Sequence, residues 1–157
     1  MNAAVGDIDR LLALIISMAM ALLVIVFHAL AVALISIRYE RWISGRHPIE
    51  RLADTLWVIV VLVTPLIGMH VLDNYILGGF LYLIGAVDDL QDGFNMAIYS
   101  YTTLGDQKLG QNNFWRAFAP MAALSGFFTF AWTSAVLLRF LNKIYNKDAL
   151  HPKSGPP

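Results

Sequence analysis

From Leu11 to Ile37 the chain runs for 27 residues without an acidic residue, a Lys or an Arg, and only Ser17, His28 and Ser36 interrupt the hydrocarbon. A helix crosses the hydrocarbon core of a bilayer with about 20 consecutive apolar residues, so this run predicts a membrane span. The rival is a cleavable leader, because Ala29-Leu30-Ala31 resembles a processing site. Asp7 and Asp9 beside a single Arg10, and a run that continues past Ala31, favour a retained helix.

Two further runs follow. Leu56 to Leu72 is nearly long enough to span, and Pro65 within it is expected to bend the helix. Asp73-Asn74 then punctuate the sequence, and a short apolar piece extends from Tyr75 to Val87. As a helix that piece would rise about 20 Å, too little to cross alone, so it is either a continuation of the second helix or an interfacial segment. Phe114 to Leu141, with charge only at Arg116 and Arg139, predicts a third span. The composition agrees: 58% of residues are hydrophobic, 14% are charged, and mean hydropathy is +0.62. A soluble domain carries about a quarter charged residues. Eleven basic residues balance eleven acidic ones, which leaves no excess to neutralise nucleic-acid phosphates, and the absence of Cys excludes disulfides and thiolate sites. The expected fold class is an all-α integral membrane protein with three transmembrane helices.

Charge sets the expected orientation. Arg38, Arg41, Arg46 and Arg51 crowd the first loop, and Arg139, Lys143, Lys147 and Lys153 occupy the tail, so eight of eleven cationic residues share one side. The positive-inside rule makes that side cytoplasmic, with the N-terminus and residues 73–113 outside. In the outward segment, Asp88, Asp89 and Asp92 precede an amphipathic stretch from Phe94 to Tyr101 that predicts a short helix with an acidic first turn. Thr102-Thr103-Leu104-Gly105-Asp106 comes next, before the third span. A short helix returning through such a loop has the pattern of a re-entrant element, which membranes tolerate only inside protein or along a water path.

The order of outer helix, short helix, Thr-x-Gly loop and inner helix resembles the potassium-channel pore-domain superfamily. It is most similar to small bacterial membrane proteins with a Y-T-T-L-G-Y-G-D loop, a following W-R and a glycine-hinged G-W-S-T-A inner helix. Here those parts are Tyr101-Thr102-Thr103-Leu104-Gly105-Asp106, Trp115-Arg116, Gly126 and Ala131-Trp132-Thr133-Ser134-Ala135, with His70 where such proteins often carry an outer-helix His. The likeness covers about residues 54–140. It implies a re-entrant pore helix near 89–101, a homotetramer around a central pore, and a selectivity filter at Thr102, Thr103, Leu104, Gly105 and Asp106. The chain then divides into an N-terminal segment with an extra span (1–37), an Arg-rich cytoplasmic loop (38–53), a pore domain (54–141) and a short cytoplasmic tail (142–157), placed in a bacterial inner membrane.

One departure from that pattern changes the expected chemistry. The Tyr-Gly pair after Gly105 is missing, so either two residues are deleted or Asp106 takes the tyrosine position. Potassium channels replace the ion's hydration shell with stacked carbonyl rings, whereas other cation channels use rings of carboxylates. Four Asp106 side chains would form such a ring, able to hold a permeant or blocking cation, whether potassium, sodium or calcium. Ala122 is a second departure, at a position expected to be acidic. Asp88, Asp89 and Asp92 fit a cation-attracting vestibule and a solvated helix start equally well. Gly126 fits a gating hinge and a close-packing residue equally well. His28 and His70 are expected to be hydrogen-bonded packing residues rather than metal ligands, and Trp42, Trp57, Trp115 and the Tyr residues interfacial anchors. No catalytic constellation or bound cofactor is expected. The function expected is a pore-forming cation-channel subunit, and the alternative is a non-conducting accessory subunit of a larger membrane complex.

Overall fold

The structure is a computed structural model that describes residues 2–45, 52–104 and 113–150. They form four helices, α1 (Asn2–Ser44), α2 (Leu52–Leu83), α3 (Leu90–Tyr101) and α4 (Asn113–Leu150), with no strand among the described residues. Three of them contain stretches long and apolar enough to cross a membrane: Asp7–Ser44, Ala53–Leu83 and Arg116–Ile144. The protein is all-helical and membrane-spanning in character. α1 packs along α4 and α2, and α3 packs against α2 and α4.

One boundary differs from the sequence expectation, and one open alternative is decided. The helix begun by the first apolar run does not stop at Ile37 but continues to Ser44, so Arg38 and Arg41 sit on its last turns. The piece after Asp73-Asn74 is a continuation of the second helix, which incorporates both residues and runs to Leu83, with Pro65 inside it. Its termination is local. Gly85 adopts φ +69, Gly85 N donates to Tyr82 O and Ala86 N donates to Leu81 O. This is the paired hydrogen bonding of a helix end closed by a left-handed glycine.

α3 begins one residue after Asp89, whose side chain accepts a 2.7 Å hydrogen bond from Asp92 N. A carboxylate there satisfies an N–H that the first helical turn leaves free. Gly78 of α2 and Gly93 of α3 let the two backbones meet. A Cβ built on Gly78 would lie 2.6 Å from the Gly93 carbonyl carbon.

The buried side chains form two apolar clusters. One comprises Val24, Leu77, Leu81, Ala97, Tyr101, Phe118 and Ala122, and so includes α3. The other includes Val32, Tyr39, Val58, Leu62, Leu66, Phe140 and Ile144. Beside it, Arg139 of α4 contacts Glu40 of α1 at 2.8 Å. Between the clusters lies a polar layer. On α1 the sequence Val24, His28, Val32 at four-residue spacing lines one face, so the histidine falls between two core valines.

Candidate functional site

The polar layer is built from all four helices. His28 of α1 donates from Nδ1 to Oδ2 of Asp73 on α2 at 2.6 Å, and its Nε2 meets Thr133 Oγ1 of α4 at 2.9 Å. The Tyr101 hydroxyl, at the last turn of α3, donates to the same Asp73 oxygen at 3.0 Å and also bonds Thr129 Oγ1 of α4. His70 Nδ1 lies 2.9 Å from that hydroxyl, and the His70 ring stacks on Phe130 with centroids 4.2 Å apart. Asp73 is 0% exposed and His28 1%.

Such a carboxylate is costly. An acidic side chain at the centre of a membrane helix is disfavoured by about 2.5–3.5 kcal/mol on insertion scales. Asp73 stands well inside the 53–83 span, as Thr129 does inside 116–144 and His28 inside 7–44. The surrounding donors offset that cost only in part, because Asp73 Oδ1 and His70 Nε2 are buried without a partner.

The chain leaves α3 just beyond Tyr101. Thr102 caps the helix, its N–H and Oγ1 both donating to Ile98 O at 3.0 and 2.6 Å. Thr103 N then donates to Ser100 O, and Thr103 takes φ +63. For a β-branched residue this left-handed conformation is a genuine outlier and signals a constrained turn. Leu104 follows, 75% exposed. Gly126 faces this turn from α4, where a Cβ would fall on the Tyr101 carbonyl. The glycine is therefore a point of close backbone approach between α4 and the end of α3.

No family model, no curated protein and no solved structure matches the chain.

Of the expected site residues, Thr102, Thr103 and Leu104 lie together at the carboxyl end of α3, opposite Gly126. Gly105 and Asp106 lie outside the described residues. Asp88, Asp89 and Asp92 are exposed at the other end of α3, with Asp89 as its cap. His28 and His70 are hydrogen-bonded as expected, but the group they join was not foreseen: their shared partner is Asp73, which the sequence suggested as punctuation after a span. The signal available was the three-residue spacing from His70 to Asp73, which puts both on one helical face. Tyr101, expected with the other tyrosines to be an interfacial anchor, is instead buried in this layer, and neither it nor Thr129 carried such a signal, since their meeting depends on how α3 and α4 pack.

Proposed function

We propose that the chain is the pore-forming subunit of a homotetrameric cation channel, with the residues after Tyr101 as its filter. The observation that carries this reading is where α3 stops. Its last residue is bonded to Asp73 and Thr129, both well inside spans, and the backbone continues from there as a tight, non-helical turn with Leu104 exposed. Lipid does not accept irregular backbone at such depth; protein or a water path does. A single chain leaves the turn uncovered, so further copies around an axis supply the cover. Ion conduction gives the turn a purpose, because the carboxyl end of a helix carries partial negative charge that favours a cation beyond it.

In this reading Thr102, Thr103, Leu104 and Gly105 present backbone oxygens to the ion, and four Asp106 carboxylates close the outer end. Asp88, Asp89 and Asp92 add negative charge at the mouth. Like charges around one axis repel at low effective dielectric and are relieved by a bound cation or shared protons. Hard carboxylate oxygens suit calcium or magnesium. Millimolar calcium is therefore expected to block or permeate, and potassium to be only weakly preferred over sodium. Reversal potentials in paired potassium, sodium and calcium solutions test this, with Asp106→Asn as the comparison. That variant should weaken the calcium effect and leave the tetramer intact. Strong potassium selectivity in the unmodified protein, or selectivity indifferent to Asp106→Asn, contradicts the assigned filter.

A further inference from the structure

Three metal-ligating side chains converge in the polar layer: His28, His70 and Asp73 each offer a donor atom, all within 4.8 Å of one another. We infer that this group is a binding site for one zinc-type dication per chain, held between α1 and α2. The inference is independent of conduction and concerns residues outside the proposed filter.

The hydrogen-bond pattern shows why a proton is an incomplete occupant. A carboxylate only accepts, so His28 donates its Nδ1–H to Asp73 Oδ2, and the Tyr101 hydroxyl donates to that same oxygen. With the Tyr101 proton used there, His70 Nδ1–H donates to the Tyr101 oxygen, and His70 Nε2 is left with the free lone pair of a neutral ring. Adding a proton to His28 strengthens the contact with Oδ2. It does nothing for Asp73 Oδ1 or His70 Nε2, both buried without a partner. What these atoms lack is an electron-pair acceptor; a proton on one of them leaves the other bare, whereas one ion held by both residues would serve both.

A metal ion supplies that acceptor together with the positive charge that a fully buried carboxylate requires. Two imidazoles and one carboxylate, with no thiolate and a single carboxylate oxygen donor set, suit zinc and its neighbours better than calcium or magnesium. The outer contacts are also of the right kind. Ligating histidines are held by a hydrogen bond from the other ring nitrogen, and here His70 is fixed by Tyr101 and His28 by Thr133. Zinc bonds of about 2.0–2.2 Å place tetrahedral ligands roughly 3.3–3.6 Å apart. Loading therefore requires the His28 proton to move from Nδ1 to Nε2, where Thr133 Oγ1 accepts it, and the 2.6 Å contact of His28 with Asp73 to open, while the widest ligand pair closes by about an ångström. The consequence is mechanical. The ion would tie α1 to α2, and through Tyr101 to the end of α3.

The test uses the full chain in detergent, stripped with chelator and then dialysed against zinc or cobalt. The expected result is one zinc retained per chain, and a cobalt form with the intense visible absorption of a four-coordinate site. Asp73→Asn and His70→Gln should each weaken zinc binding by more than the roughly 10–100-fold that loss of an outer hydrogen-bond partner costs. A double variant at the other two histidines, His47→Gln with His151→Gln, should bind as the unmodified chain does. If Asp73→Asn fails to fold, as judged by helical circular dichroism and elution volume, the cobalt spectrum of the unmodified protein decides. A stripped protein that takes up no zinc, a six-coordinate cobalt spectrum, or binding lost in the double variant overturns the assignment. Metal content is the readout, so the result stands whether or not the chain conducts.

Discussion

At the scale of single residues, the Tyr101 hydroxyl does the most connecting, because it joins α3 to Asp73, His70 and Thr129 at once. Tyr101→Phe keeps the ring in its cluster and removes the hydroxyl, leaving Asp73 with His28 as its remaining hydrogen-bond partner. Losing one partner of a buried polar group costs about 1–3 kcal/mol, so the thermal unfolding midpoint in detergent should fall; an unchanged midpoint would show that the polar layer does not hold α3. The glycines divide in a way that the same measurement reads. Gly126→Ala and Gly78→Ala put a methyl against backbone and should lower the midpoint, since overpacking costs about 1–3 kcal/mol. Gly68→Ala meets nothing within 4 Å and should be neutral or slightly stabilising. Legibility at this scale was uneven. His28 and His70 stood out because an ionisable residue inside an apolar run is conspicuous, whereas Asp73 stood beside Asn74 at the edge of one and passed for its end. Its partner His28 is 45 positions away, and such pairing is set by helix packing rather than local pattern.

At the scale of elements, the long helices were legible because apolar length alone specifies them, and α3 because its acidic start and amphipathic run are local signals. Their ends were less so. α1 outlasts its apolar run because Arg38 and Arg41 are good helix formers at a carboxyl terminus, where cations are favoured. α2 continues past Asp73 because that residue is paired, and it stops only where Gly85 supplies a left-handed turn. The cap of α3 gives a prediction of its own. Asp89→Ala removes the acceptor for Asp92 N and should destabilise by about 1 kcal/mol, while Asp89→Asn, which retains an oxygen, should cost less. A midpoint for Asp89→Ala equal to that of the unmodified protein would mean that the cap contributes nothing. The exposed contact of Glu40 with Arg139 belongs to a weaker class, and Glu40→Gln should leave the midpoint nearly unchanged.

For the whole molecule, only 22% of each spanning window is buried inside the chain, which leaves broad apolar faces such as that of Phe127, Phe128 and Trp132 on α4 for lipid or for other copies. Three crossings and the clustering of cationic residues predict an outside N-terminus and a cytoplasmic tail. A tag after Pro157 should be accessible from the cytoplasm and one before Met1 from outside, and both termini on one side would contradict three crossings. The assembly should have the mass of four chains in detergent or lipid discs, because one re-entrant turn cannot enclose an ion path; a monomer, or a complex with a different chain, favours the accessory role. Conduction itself is the central claim. Recording from planar bilayers that contain the purified protein should give discrete unitary currents whose reversal potential follows the cation gradient and whose amplitude falls when millimolar calcium is added. Bilayers that stay silent with folded, fourfold-assembled protein in them would contradict it.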